Sequence, residues 1–137
     1  KFRLHSQLNS SLLRNYSEIA NREPALISPA TAKARGIKTG DVVRIYNDRG
    51  EILCGALVSD TAQDNVVIVS EGAWYDPAVW GEKSLCKHGN INVLTKDVPS
   101  SQLSQSNTAH TSMVQIEKFK GELPSVTAFD RPATIEA

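Results

Sequence analysis

Cysteine is scarce in this chain. Its two residues, Cys54 and Cys86, stand far apart and in no CxxC unit, so neither a disulfide framework nor a conventional structural zinc site can be written from them. Cys86 and His88 are two apart, but His5, His110 and Cys54 fall in unrelated stretches; no complete ligand spacing emerges, and no metal is expected on this chain. Long hydrophobic runs are missing as well. None approaches the roughly 18 residues of a membrane helix and no secretory h-region opens the sequence, so membrane insertion is not expected. Charge of one sign is also lacking, with 15 basic residues balancing 15 acidic ones. A broad footprint for nucleic acid or an anionic surface is thereby excluded. There is no GxSxG elbow, no GxGxxG, no P-loop and no Gly-Ser bond for self-processing. By itself the chain is expected to be inactive.

What is present is enough for one globular domain: 137 residues, of which 40% are hydrophobic, can bury a core holding about two-thirds of the unfolded surface. The chain opens on Lys1, in the middle of what reads as ordered structure. The expectation is a single domain over 1–137, a C-terminal fragment of a larger enzyme with the catalytic region upstream.

Leu12, Leu13, Tyr16 and Ile19 recur at near-helical spacing and predict helical turns within Asn9 to Ala20. Ser28 as a cap, Pro29 at the first helical position and Gly36 as a left-handed stop predict a second short helix from Pro29 to Arg35. Val42 to Tyr46 and Ile52 to Val58, joined by Asn47-Asp48-Arg49-Gly50, form a β-hairpin signal. Val66 to Val69 is short and β-branched and reads as a buried strand. Ser112 to Phe119 alternates Val114 and Ile116 with Gln115 and Glu117, as a further strand does. The tail after Gly121 reads as extended and poorly held. The pattern is mainly β, a barrel with one or two short helices.

Several polar clusters could carry chemistry. His5-Ser6-Gln7 offers an imidazole, a hydroxyl and a carboxamide in succession, although edge positions of this kind are often plain surface. His88-Gly89-Asn90-Ile91-Asn92 pairs a glycine with two carboxamides, a set that suits close approach to a heterocycle and equally an ordinary asparagine turn. Glu71 and Gly72 follow a strand, where a loop residue is held firmly; a salt bridge is the plainer use of Glu71. Trp74, Tyr75 and Trp80 are expected at an interdomain contact. Arg44, on an amphipathic strand, and Arg49, in the hairpin turn, could reach a diphosphate, though solvated positions are the simpler expectation for both. Cys54, in an apolar strand, reads as core.

Leu4-His5-Ser6-Gln7-Leu8, Glu71-Gly72-Ala73-Trp74-Tyr75-Asp76-Pro77 and Cys86-Lys87-His88-Gly89-Asn90-Ile91-Asn92-Val93-Leu94-Thr95 together resemble the C-terminal dinucleotide-binding domain of the molybdopterin S- and N-oxide reductases. The similarity is to the trimethylamine N-oxide, dimethyl sulfoxide and biotin sulfoxide enzymes, and it runs from about Phe2 to Pro132. It implies a double-psi β-barrel and a bis-molybdopterin guanine dinucleotide whose molybdenum is ligated by upstream domains. It also implies cofactor-binding roles for Leu4, His5, Ser6, Gln7, Glu71, Gly72, His88, Gly89, Asn90, Asn92 and Gln105. Around Gln105 the family commonly reads Leu-Ala-Gln-Gly, where this chain has Ser104 and Ser106. A cytochrome-type electron donor is a possible partner by the same implication, and location is periplasmic, with a cytoplasmic alternative. A free-standing barrel used for protein interaction is the competing reading. If Cys86 and His88 are not ligands, metal analysis of the purified protein will find no stoichiometric zinc; tight zinc whose chelation unfolds the protein would overturn that expectation.

Overall fold

A computed structural model describes residues 10–81, 84–106, 108 and 112–131. Helix α1 spans Ser11–Ser17, strand β1 Pro24–Ile27, helix α2 Pro29–Arg35, β2 Val42–Tyr46, β3 Glu51–Val58, β4 Val67–Val69 and β5 Gln115–Lys118, with a 3-10 turn at Ile91–Val93. The architecture is mainly β, a five-stranded sheet in the order β4-β1-β3-β2-β5 among the described residues. Among these residues no helix is long and apolar enough to cross a membrane.

Helix α2 forms where its end signals place it. Ser28 Oγ accepts the Thr31 N–H at 3.1 Å, and Gly36 takes the left-handed conformation at φ 64°. The hairpin β2–β3 is antiparallel, pairing Val43 with Cys54 and Ile45 with Ile52, and β5 adds to its outer edge with Ile116 opposite Ile45. Ile27, Val43, Ile45, Ile52 and Leu94 are fully buried and form the centre of the core with Cys54 and Cys86. Burial pushes the Cys54 thiol well up, as an apolar core position requires.

The structure departs from the sequence pattern in three places. Strand β1 was not expected: it is only four residues and begins on Pro24, yet it runs parallel to β3 with Ala25 opposite Ala56. β4 is a strand, but not a buried one. Among the described residues it pairs only with β1, and Ile68 is 43% exposed because the outer side of this edge faces a cavity instead of the core. The described stretch 122–131 was expected to be poorly held, yet it is anchored: Arg22 Nη2 donates to the Pro124 carbonyl at 2.6 Å, and Thr127 N donates to Asp76 at 2.7 Å.

Ahead of β1 the chain reverses through Ala20 and Asn21, both left-handed, at φ 52° and 58°. Alanine carries a steric cost there, on the order of 1 kcal/mol. The turn pairs Ile19 with Arg22 and seats Ile19 directly on Gly55 of β3. A Cβ at Gly55 would lie 2.4 Å from Ile19 Cβ and 2.5 Å from its carbonyl oxygen. Backbone cannot yield as a side chain does, so Gly55→Ala is expected to destabilise the fold by about 1–3 kcal/mol. Denaturant titration measures it; an unchanged midpoint would mean that Ile19 does not hold this position.

Candidate functional site

The residues from Cys86 onward reach their place by hydrogen bonding to β3. Cys86 N donates to the Glu51 carbonyl at 2.9 Å and Leu53 N to the Cys86 carbonyl at 2.9 Å, after which Glu23 N meets the His88 carbonyl at 3.2 Å. His88 is buried, with Nε2 2.9 Å from Glu18 Oε1 and its ring edge-on to Phe129 at 5.1 Å. Against a carboxylate acceptor the chemistry assigns the hydrogen to Nε2. Gly89 follows at φ 92°, where a Cβ would sit 2.9 Å from Glu23 Cβ and 3.1 Å from Cys54 Sγ. Glycine is thus demanded by packing against Glu23 and β3. Asn90 Oδ1 then accepts the Asn92 N–H at 2.9 Å and starts the 3-10 turn, which leaves the Asn92 side chain exposed and without a hydrogen-bond partner among the described residues.

Two cavities open on either side of this turn. The larger, about 920 Å³, lies between β1 and β4, the end of α1 and the turn, with Glu18, Glu71, Asn92, Thr95 and Ser112 among its polar lining and Leu26, Val67 and Ile91 among its apolar lining. Ser112 Oγ is a buried hydroxyl with no partner among the described residues. The smaller cavity, about 560 Å³, is shallow and is lined by Arg49, Tyr75, Ser84, Asn90 and Asn92 together with Gly50. Asn92 borders both.

Behind His88, a buried polar group fastens the loop after Gly72 to the tail. Lys87 Nζ lies 3.1 Å from Asp76 Oδ1, Thr127 Oγ1 donates to the same oxygen at 2.6 Å, and Lys87 Nζ donates to Thr127 Oγ1 at 2.7 Å. Burial alone would raise the Asp76 carboxyl, but hydrogen bonds from Thr127 and the Lys87 ammonium outweigh it and hold Asp76 below its ordinary value. Phe129 continues the contact, 5.4 Å from Trp74 and with the Arg14 guanidinium 3.4 Å above its ring.

Of the residues singled out in the sequence, Glu71 and Asn92 meet at the larger cavity, and Asn90 joins Asn92 at the smaller one. His88 and Gly89 stand behind this wall, in the packed interior. Gly72, left-handed at φ 106°, redirects the chain beyond Glu71. Gln105 lies in the exposed serine-rich loop, its Nε2 donating to Gln102 at 2.9 Å, and lines neither cavity. The left-handed backbone of that loop falls on Gln105, φ 56°, and not on Ser106, where the family commonly has glycine. Leu4, His5, Ser6 and Gln7 lie outside the described residues.

Two residues stand at these cavities in a way the sequence pattern did not fix. Glu18, just past α1, had no local signal, since only the tertiary contact with His88 brings it to the cavity. Arg49 is not a solvated turn residue: its N–H donates to Asn47 Oδ1 at 2.9 Å and its Nε to the Leu94 carbonyl at 3.0 Å. Arg44, by contrast, is spent on the sheet surface, 2.5 Å from Glu51 and 3.1 Å from Glu117.

A mainly-β domain with two adjoining cavities that share an asparagine-rich turn accords with a domain that binds a small molecule, and the family match defines that class. Residues 1–113 match the family described as the molydopterin dinucleotide binding domain, and the chain is a member of that family. It is 51% identical over 138 residues to a trimethylamine-N-oxide reductase of Salmonella typhi, covering 99% of this chain and 16% of that protein. It is 49% identical over 133 residues to the dimethyl sulfoxide/trimethylamine N-oxide reductase of Cereibacter sphaeroides, covering 96% of this chain and 16% of that one. This chain therefore spans about one-sixth of the length of these relatives. Among solved structures, acetylene hydratase from Pelobacter acetylenicus shares the fold, with a TM-score of 0.61 at 14% identity over 82% of this chain and 16% of that chain.

The Asp76 group makes an acid-side prediction. A carboxyl held below its ordinary value adds stability above a pH of about 4 and loses it as pH falls through the lower folded value. Asp76→Asn leaves Lys87 buried beside a neutral partner and is expected to destabilise by about 3–5 kcal/mol at pH 7. Its stability should also fall less steeply than that of the parent between pH 4 and 2.5. Parallel pH profiles of the two proteins in denaturant titrations would contradict this.

Proposed function

We propose that this domain closes over a bis-molybdopterin guanine dinucleotide in a longer enzyme that reduces an N-oxide or S-oxide, trimethylamine N-oxide first among them. The observation that carries the reading is the larger cavity, because it gathers Glu71 and Asn92 from distant parts of the chain onto one wall. The donors fit the group. A pterin or guanine edge mixes N–H donors with ring-nitrogen acceptors, and the wall offers a carboxylate, a carboxamide free to do both, and the unpartnered Ser112 hydroxyl. The volume lies within the range of small-molecule sites, from a few hundred to about 1,000 Å³.

When bound, the molybdenum of such a cofactor supplies the oxygen-atom chemistry, and the protein supplies binding, orientation and electrostatics. The metal's protein ligand would come from upstream domains, so this domain alone would not turn over substrate. Its share is positional. Asn92 would present donor and acceptor to the heterocycle from a turn stiffened by Asn90, and His88 would keep Glu18 aimed at the same space. The exposed Trp74, Tyr75 and Trp80 would meet upstream domains of the same enzyme. The described sheet would form the larger part of a double-psi β-barrel. A periplasmic location with a cytochrome-type electron donor accords with the trimethylamine N-oxide reading, and a cytoplasmic location is the alternative.

In the full-length enzyme, Asn92→Ala is expected to weaken cofactor retention by about 1–3 kcal/mol, read as molybdenum and acid-released guanine nucleotide per polypeptide. Unchanged content of both would remove Asn92 from the binding surface. A parent enzyme lacking both would overturn the functional reading itself.

A further inference from the structure

The two cavities share Asn92 but differ in charge. The described lining of the larger one includes three carboxylates, Glu18, Glu23 and Glu71, and no lysine or arginine. Such a wall, rich in acceptor oxygens, suits a neutral heterocycle that presents N–H groups. The smaller cavity reverses the pattern: its described lining has the Arg49 guanidinium, the hydroxyls of Tyr75 and Ser84 and the carboxamides of Asn90 and Asn92, and no carboxylate.

Arg49 is built into this position. The hairpin turn lies so close to the 3-10 turn that a Cβ on Gly50 would stand 2.6 Å from Val93 Cγ1, and both the Arg49 Nε and the Asn47 amide donate to the Leu94 carbonyl, at 3.0 and 2.9 Å. Using Nε for this anchor leaves the terminal nitrogens for other work. One of them, Nη1, touches Asp48 at 3.1 Å, but the Asp48 side chain is 81% exposed, and an ion pair of that kind is worth little in water. A doubly charged group can displace it, drawing on the forked geometry that guanidinium offers to phosphate oxygens.

We propose that the Arg49 cavity receives the diphosphate of the dinucleotide, with Asn92 at the junction and one heterocycle lying in the acidic cavity beyond it. This rests on the functional reading above and adds to it the direction in which the ligand crosses the domain. Arg49 and the Asn47-to-Gly50 turn become the anion-binding element of a fold that has neither a P-loop nor a glycine-rich dinucleotide fingerprint.

The test uses the full-length enzyme with Arg49→Gln, Arg49→Lys and, as a control, Arg44→Gln, which makes the same charge change outside both cavities. Two quantities are read: guanine nucleotide retained through washes of rising ionic strength, and calorimetric affinity of the cofactor-free protein for inorganic pyrophosphate. Arg49→Gln is expected to weaken pyrophosphate binding about tenfold or more and to release nucleotide at lower salt, Arg49→Lys to fall between, and Arg44→Gln to stay within about twofold of the parent. If Arg49→Gln does not fold, Arg49→Lys decides on the same two scales. Parent-like retention and affinity in the Arg49 variants, with cofactor present in the parent, would overturn this inference and leave the functional reading intact. A parent that carries no guanine nucleotide would overturn both.

Discussion

Strand β3 is the element on which the other positions depend, because both of its edges are hydrogen bonded from end to end. One edge carries β2 along Glu51 to Gly55. The other is divided: Cys86 occupies the first half, through Glu51 and Leu53, and β1 takes the second, from Gly55 to Val58. A single strand therefore sets the register of β1, β2 and the segment that leads to Asn92. Backbone groups buried here have no water to turn to, so a slip in any of these pairings would strand several donors and acceptors at once. That cost fixes the turn bearing Asn92 relative to the hairpin bearing Arg49, although neither residue belongs to the core.

The fold was legible in the sequence where a signal is local. Ser28, Pro29 and Gly36 define α2 because capping and left-handed stops act within a few residues of the chain. The β2–β3 hairpin was legible for the same reason. β1 was not, since four residues that begin on Pro24 carry no period, and their strand character comes from β3, some thirty positions on. The burial of β4 was misread because β-branched composition reports on strand preference and not on what lies across the face. The tail was misread because its anchors, Asp76 and Arg22, are remote partners that no local pattern announces.

The site divides the same way. Glu71 and Asn92 were recognisable by chemical type and by their position after a strand and in a glycine-asparagine turn, and the structure brings them to one cavity. His88 and Gly89, in the same motif, face inward: one orients Glu18 and the other admits the backbone against Cys54. Glu18 owes its position to the tertiary contact with His88, which explains why spacing passed over it; Arg49 was visible as a turn residue able to reach a diphosphate, but its anchor on the Leu94 carbonyl was not.

The tail also bears on how α1 is held. α1 has only seven residues, too few to persist alone, and contacts that moor it include Glu18 to His88 and Arg14 to Phe129. Phe129 in turn is placed by Thr127, which reaches back 51 positions to Asp76, and Arg22 to Pro124 closes a span of 102. Loops of that length close late, because the entropy of bringing their ends together is met only once the intervening chain has packed. The α1 wall of the larger cavity is thus fastened at two places, one of which depends on the late-closing stretch around Phe129.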